Sequence, residues 1–135
     1  MRNIKKTFAP TLLATLILTG CAERQIKDSA YNYANAMANY QVAEAKAYAT
    51  EETQNTTLVV AERLVKRVDP EYIASDTPAQ VTILSAEKTS DTSAYAVYHK
   101  KTPIKDFTDT LQLRKRQGKW LAHVELQAPT KPANS

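Results

Sequence analysis

The chain has 135 residues, 18 Lys or Arg against 14 Asp or Glu, and one cysteine, Cys21. This length corresponds to a single domain of ordinary size. A lone cysteine excludes internal disulfides, dithiol redox pairs and metal sites built from several thiolates. The only glycines are Gly20 and Gly118, which excludes a glycine-rich phosphate-binding loop.

Residues 1–20 are predicted to form a lipoprotein signal peptide. The start is basic, and the apolar run over residues 8–18 is shorter than the roughly 20 residues of a membrane-spanning helix. The segment Leu18-Thr19-Gly20-Cys21 resembles a bacterial lipobox, in which a diacylglycerol is attached to the cysteine sulfur and the leader is cleaved just before it. The alternative is a plain signal peptide followed by an incidental cysteine.

This lipobox predicts the location of the protein. Ala22 follows Cys21 in place of the Asp that favours inner-membrane retention in many enteric bacteria, so we expect an outer-membrane anchor facing the periplasm. Each buried CH₂ contributes about 0.8 kcal/mol, so two or three acyl chains hold a protein on the bilayer far more firmly than one. The leader carries three of the 18 basic residues, and the remaining net charge is about +1. This weak charge argues against a nucleic-acid partner.

The segment after the leader divides into three parts. Residues 21–28 are predicted to be the lipidated cysteine and a short tether, residues 29–127 a folded domain, and residues 128–135, with their two prolines, a disordered tail. Asp28 or Ser29 can cap a helix that begins at Ala30. A break near residues 39–41, a second helix over residues 42–49 and a third that Pro70 ends are predicted next. Residues 71–78 are predicted to be a loop.

Four strands follow, over residues 80–87, 93–101, 106–116 and 119–127. A two-residue turn at Gln117-Gly118 sets Arg116 opposite Lys119. This register places almost every large apolar side chain of the last hairpin on one face, and a slip of one residue would destroy the segregation. The sequence therefore predicts an α+β domain, with N-terminal helices packed on a curved four-stranded antiparallel sheet.

Three segments resemble small bacterial lipoprotein domains of unknown function within the nuclear transport factor 2-like superfamily, which has the cystatin-like fold. They are a helix entry at residues 38–48, a turn at residues 90–94 and a closing hairpin at residues 111–120. Asn39 stands where an acidic residue or a Gly-Asp pair is common. The resemblance implies a curved sheet wrapped around helices as a cone with an open end. It implies no catalytic residues, because relatives include isomerases and cyclases as well as binding domains.

Asp109 is the candidate for acid–base chemistry. It is predicted to lie among the apolar residues Phe107, Leu111 and Leu113 near one end of its strand. A carboxylate enclosed there could act as a general base, with a hydroxyl donor for an oxyanion. The possible donors are the tyrosines Tyr33, Tyr40 and Tyr98. The alternative is a solvated carboxylate at the sheet edge.

Of the two histidines, His123 is predicted to be exposed on the polar outer face, opposite Gln112, and His99 stands beside Lys100-Lys101. We expect neither a metal site nor a cofactor. The basic hairpin tip at residues 114–119 could contact anionic lipid head groups, or could simply be a solvated turn that protects the sheet edge. We expect a non-catalytic module that binds a protein partner or a small apolar ligand, and the outer sheet face permits a homodimer. The alternative is an isomerase or cyclase that uses Asp109 as its base.

Overall fold

The computed structural model describes residues 2–126, with side chains described from Gly20 onward. Five helices precede four strands. The helices are α1 (Arg2–Ala38), α2 (Val42–Ala45), α3 (Glu51–Asn55), α4 (Thr57–Arg67) and α5 (Pro70–Ser75), with a 3₁₀ turn at Lys46–Tyr48. The strands are β1 (Gln80–Lys88), β2 (Ser93–Lys101), β3 (Asp106–Arg116) and β4 (Lys119–Ala122). The predicted tail, residues 128–135, lies outside the described residues.

Helix α1 includes residues 21–28, the segment that was predicted to be the lipidated cysteine and a short tether. Its helical geometry begins well before the predicted start at Ala30, because no Gly or Pro interrupts residues 21–38. Ile26 is only 1% exposed and packs into the core. The folded domain therefore begins five residues after Cys21. No helix among residues 2–126 combines the length and the apolar character that crossing a membrane requires.

The predicted break after α1 is confirmed. Tyr40 has a φ of 62°, a left-handed conformation that ends the helix. The amide of Asn39 then joins α1 to the first strand, since its Oδ1 accepts a hydrogen bond from the N–H of Ala79 at 2.8 Å and its Nδ2 donates to the carbonyl of Ala79 at 3.4 Å.

The remaining helices differ from the predictions in two places. The second helix was predicted to reach Ala49, but Ala49 has extended geometry and forms a bridge with Ala122. Residues 71–78 were predicted to be a loop, and this prediction is wrong for most of the segment. Pro70 occupies the first helical position of α5 and the side chain of Asp69 accepts a hydrogen bond from the N–H of Glu71, so the proline starts a helix as well as ending one.

The sheet is an antiparallel meander in the order β1-β2-β3-β4, which confirms the predicted α+β class. Strands β2 and β3 have the predicted bounds, and the register Arg116↔Lys119, with Leu113↔Ala122, matches the predicted hairpin. Gln117 and Gly118 have φ values of 51° and 80°, as the two central residues of a type I′ turn require.

The fourth strand ends at Ala122, earlier than predicted. The N–H of His123 still reaches the carbonyl of Gln112 at 2.8 Å. After His123, the backbone of Val124 forms hydrogen bonds with threonine side chains of the helices instead of with β3. The Oγ1 of Thr53 accepts from the N–H of Val124 at 3.0 Å, and the Oγ1 of Thr57 donates to the carbonyl of Val124 at 2.6 Å. Residues 124–126 therefore do not continue the ladder along β3.

The core lies between the helices and one face of the sheet. Its buried side chains come from α1, α2, α4 and strands β2, β3 and β4, and they include Tyr33, Leu58, Leu111, Leu113 and Trp120. Small residues, including Ala30, Ala94 and Ala96, allow the helix and the sheet to approach closely.

Candidate functional site at the open edge of the sheet

Asp109 lies directly opposite Tyr98 across the β2–β3 ladder. Directly opposed residues on antiparallel strands have Cβ atoms about 5 Å apart, so the sheet brings together the predicted carboxylate and one of its predicted hydroxyl donors. The carboxylate, however, is exposed to solvent. Its Oδ1 accepts a hydrogen bond from the N–H of the next residue, Thr110, at 2.8 Å.

Two of the candidate donors, Tyr98 and Tyr33, lie between Asp109 and the rest of the core. Burial, together with the neighbouring charge of Asp109, raises the pKa of Tyr98. Burial, followed by the proximity of Tyr98, raises the pKa of Tyr33 to about 12. Both hydroxyls are therefore protonated and able to donate hydrogen bonds over the ordinary pH range.

The third candidate donor, Tyr40, lies elsewhere. Its hydroxyl donates to the Oδ2 of Asp76 at 2.7 Å. Burial, then this hydrogen bond, raises its pKa to about 12. Tyr40 is thus committed to a separate cluster.

Within the described part of the chain, the Asp109–Tyr98 pair lies next to a filled interior. The interior of the cone is filled by buried side chains, among them Tyr33 and Trp120, with Met37 packed against them. Three surface cavities of about 310, 360 and 330 Å³ lie around the β3–β4 hairpin and the helices beside it, and none of them is lined by Asp109 or Tyr98.

The N-terminal half of β3 has a free edge. Lys115 donates its N–H toward β2, to the carbonyl of Thr92, whereas Gln112 accepts from the β4 side. Backbone groups alternate in direction along a strand, so those of Asp106, Thr108 and Thr110 point away from β2. Strand β4 pairs only with residues 113–116. Within residues 2–126, no strand pairs with this edge of residues 106–111.

Apolar side chains flank the free edge. Phe107 is 40% exposed, and Ile104 and Tyr72 are also exposed nearby. The ammonium of Lys100 lies 5.4 Å from the centre of the Phe107 ring, and that of Lys105 lies 5.2 Å from the centre of the Tyr72 ring. We call residues 106–111, with the side chains of Ile104 and Tyr72, the β3 edge surface.

No family model matches the sequence, and no curated protein matches it. A solved structure from Campylobacter jejuni, described as a candidate nuclear transport factor 2-like transpeptidase, shares the architecture with a TM-score of 0.55. The match covers 73% of this chain and 96% of that one, at 13% sequence identity. This chain has the nuclear transport factor 2-like fold. At such low identity the similarity concerns the fold alone.

A buried carboxylate that the sequence analysis missed closes one end of this nuclear transport factor 2-like domain. Asp76 is fully buried and accepts hydrogen bonds from Tyr40, from Thr102 at 2.7 Å and from Lys105 at 3.2 Å. Burial alone would raise its pKa, but these donors outweigh burial and lower it to about 2. The cluster ties α5 and the β2–β3 turn to the end of α1.

His123 was predicted to be exposed, and this prediction is wrong. Its side chain is 10% exposed. Nδ1 lies 2.9 Å from the Oγ1 of Thr50, and Nε2 lies 3.0 Å from the Oε1 of Glu125. Thr50 is fully buried and caps α3 by accepting from the N–H of Thr53. The Thr50 hydroxyl is therefore inaccessible to a substrate. Its hydrogen bonds with His123 and Thr53 connect the end of β4 to α3.

His99, on the outer face of the sheet, also lies between a carboxylate and a threonine hydroxyl. Its Nε2 lies 2.7 Å from the Oδ1 of Asp106, and its Nδ1 lies 3.3 Å from the Oγ1 of Thr108. None of the three cavities is lined by His99, Asp106 or Thr108. Within the described part of the chain, no three His, Cys, Asp or Glu side chains group in a way that could hold a metal ion.

Cys21 is exposed on α1, one and a half turns before the first core residue, Ile26. The helix carries it toward the β3–β4 hairpin, because Gln25 and Asp28 line the 330 Å³ cavity together with Gly118 and Lys119. The predicted attachment point and the basic hairpin tip thus lie at the same end of the domain.

Proposed function

We propose that this chain is a lipid-anchored protein of the bacterial envelope whose domain is a non-catalytic binding module. Its partner is an extended segment of another envelope protein, which adds to the β3 edge surface as a further strand. The observation that carries the proposal is that, within residues 2–126, no strand pairs with the outward-facing N–H and C=O groups of Asp106, Thr108 and Thr110. Free groups of this kind on a strand edge are a ready template for strand addition.

The sequence supports the anchor. A basic start, a short apolar run and the segment Leu18-Thr19-Gly20 precede an exposed Cys21. The first core residue follows five positions later, so a lipid on Cys21 leaves the domain intact beside the bilayer. An outer-membrane location, facing the periplasm, follows from Ala22 by resemblance to sorted lipoproteins.

The packing favours a protein partner over a small apolar ligand. A ligand needs a concave site that buries most of its surface, and here buried side chains occupy the cone. An extended peptide needs only a strand edge and shallow contacts for alternate side chains, which Phe107 and Ile104 can supply.

A second candidate function is an isomerase or cyclase reaction with Asp109 as general base. The cross-strand pair Tyr98↔Asp109 favours it, because a base and a hydroxyl donor share one face. Against it, the carboxylate is exposed and already bonded to the N–H of Thr110. Electrostatic catalysis depends on a site that excludes water, and an open strand edge does not supply one.

Transpeptidation, suggested by the name of the Campylobacter jejuni protein, receives less support. It needs an accessible nucleophile next to a base. The hydroxyl closest to an imidazole is that of Thr50, which is buried. The hydroxyl of Thr108 lies beside His99 on an open face without a cavity.

The anchor is tested by mass spectrometry of the full chain produced in a bacterial host. We expect a diacylglycerol-modified Cys21 at the new N-terminus, and a Cys21→Ser chain that leaves the membrane fraction. An unmodified thiol, or a Cys21→Ser chain that stays wholly in the membrane fraction, contradicts the anchor.

The edge is tested by photo-crosslinking in intact cells. A photoreactive amino acid at position 110 is expected to give one discrete adduct with an envelope protein. Thr108→Pro removes a backbone N–H that points to the free edge and so abolishes the adduct, whereas Thr108→Val keeps the N–H and the adduct. The same probe at exposed Thr82, on β1, gives the background. An adduct that survives Thr108→Pro in a folded chain contradicts strand addition.

A further inference from the structure

We propose that the tip of the β3–β4 hairpin, residues 114–119, docks on the anionic head groups of the membrane that carries the lipid anchor. The inference rests on the anchor proposed above and adds to it an orientation: one end of the domain lies against the bilayer, and the β3 edge surface lies at the other.

The topology places the relevant elements together. In the meander, the β1–β2 turn and the β3–β4 turn lie at one end of the sheet, and the β2–β3 turn lies at the other. The N-terminal part of the described α1 side chains lies at the first end, since Gln25 shares a cavity with Gly118 and Lys119. The C-terminal end of α1 reaches the opposite end, where Asn39 binds Ala79.

The connection between anchor and domain is short and helical. Cys21 and Ile26 are five residues apart in α1, which corresponds to about 7.5 Å along the helix axis. Ile26 is buried, so the helix is held by the core. A lipid inserted in the bilayer therefore holds this end of the domain near the head-group layer, at a spacing comparable to the Debye length of about 8 Å at physiological salt.

The charges of the tip suit an anionic surface. Arg114, Lys115, Arg116 and Lys119 fall within six residues, and residues 110–122 contain no Asp or Glu. Arg116 pairs with Glu52 at 3.6 Å, and Asp28 and Glu51 line cavities on the two flanks.

The ammonium groups of Lys115 and Lys119 are available to contact anionic head groups. Among the described residues, no salt bridge includes Lys115 or Lys119. Lys115 lies over the ring of Trp120 with its ammonium 6.0 Å from the ring centre, and Trp120 is buried. Lys115 and Lys119 are exposed and therefore present positive charge at the end of the domain that carries Cys21.

The test measures the distance of each end from the head groups. A fluorophore is introduced through an unnatural amino acid at Gln117, at the tip, or in a matched chain at Ile104, in the β2–β3 turn. The lipidated protein is reconstituted in vesicles of phosphatidylcholine, with or without phosphatidylglycerol, that contain a head-group quencher. We expect quenching at position 117 to exceed that at position 104, to rise with phosphatidylglycerol and to fall with added salt.

Charge variants separate docking from mere tethering. Replacing Lys115 and Lys119 by Gln is expected to weaken docking roughly fivefold for each lysine. Lys101→Gln, at the opposite end of the sheet, serves as the matched control and leaves the quenching at position 117 unchanged. Both variants change exposed side chains, and circular dichroism checks that they fold.

The outcomes distinguish this inference from the proposed function. If the protein from cells carries no lipid, the proposed anchor fails, and docking is measured on chains coupled through the Cys21 sulfur to a maleimide lipid. In either preparation, the docking is overturned by equal quenching at positions 117 and 104, or by quenching that does not respond to phosphatidylglycerol or to the Lys115 and Lys119 changes. The anchor is judged separately, by whether the protein from cells carries a lipid.

Discussion

The hydroxyl of Tyr40 donates a hydrogen bond to the Oδ2 of Asp76 at 2.7 Å, across 36 positions of the chain. Tyr40 holds a left-handed conformation, and Asp76 is fully buried. The pair connects the end of α1 to the end of α5. Thr102 and Lys105 complete the cluster from the β2–β3 turn, so one carboxylate fixes three segments at the end of the domain next to the β3 edge surface.

Asp76→Ala is expected to lower the free energy of unfolding by about 2–3 kcal/mol, because three donors lose a buried acceptor. Tyr40→Phe removes one donor and is expected to cost about 1 kcal/mol. Urea denaturation followed by circular dichroism measures both. If Asp76→Ala costs no more than Tyr40→Phe, the cluster does not act as a unit.

The same carboxylate predicts acid sensitivity. The pKa of Asp76 in the folded state is about 2, below the ordinary value of 3.8. The unfolded chain therefore binds the proton first as the pH falls, and stability that is fully present above about pH 4 is lost as the pH falls toward 2. Urea midpoints measured from pH 6 downward should fall less steeply for Asp76→Asn than for the natural chain. Asp91→Asn, an exposed change in the β1–β2 turn, should keep the natural slope.

The buried hydroxyl of Thr50 is expected to stabilise the junction between β4 and α3. Thr50→Val keeps the shape but leaves the N–H of Thr53 and the ring of His123 without their partner, at a cost of about 2 kcal/mol. Thr50→Ser keeps the hydroxyl and loses a methyl group, at a cost of about 1 kcal/mol. A Ser variant that is as unstable as the Val variant would show that packing, and not hydrogen bonding, matters at this position.

Two substitutions in the β3–β4 turn are expected to change the free energy of unfolding in opposite directions. Gly118 has a φ of 80°, and an added Cβ would meet no atom within 4 Å, so Gly118→Ala costs only backbone strain, about 1 kcal/mol. Gln117 has a φ of 51°, and Gln117→Asn should stabilise the type I′ turn by roughly 0.5 kcal/mol. Thermal unfolding of the two variants should shift in opposite directions; equal shifts would contradict the turn geometry.

Asp109 is expected to tolerate substitution. Its exposed carboxylate accepts one local hydrogen bond, which an amide oxygen can also accept, so Asp109→Asn should change the free energy of unfolding by less than about 0.5 kcal/mol. It should also preserve the crosslinked adduct at position 110, as should Tyr98→Phe. Loss of the adduct in a stable Asp109→Asn chain would show that the carboxylate takes part in recognition.

The sheet could be predicted because its signals are local. Alternation along β2 puts Ala94 and Ala96 on the same face, and both are fully buried. The Gln117-Gly118 turn fixes the register of the last hairpin. Where β4 ends could not be predicted, since hydroxyls of Thr53 and Thr57, about 70 residues upstream, bind the backbone of Val124.

The polar clusters could not be predicted for the same reason. Asp76 lies in a polar segment that looks like a solvated loop, and its partners stand 26 to 36 positions away in the sequence. His123 was assigned correctly to the outer face, opposite Gln112, but its burial depends on α3. The start of α1 was missed because a single apolar residue, Ile26, gives no periodic pattern by itself.

The meander order of the four strands also has a consequence for the order in which the domain folds. Each strand pairs with the next in sequence, so the meander can grow hairpin by hairpin with little loop-closure entropy. Helix α1 is different, because Ile26 and Ala30 share a core with Trp120 and Ala122. The part of the domain that is synthesised first therefore completes its packing last, only after the final hairpin has left the ribosome.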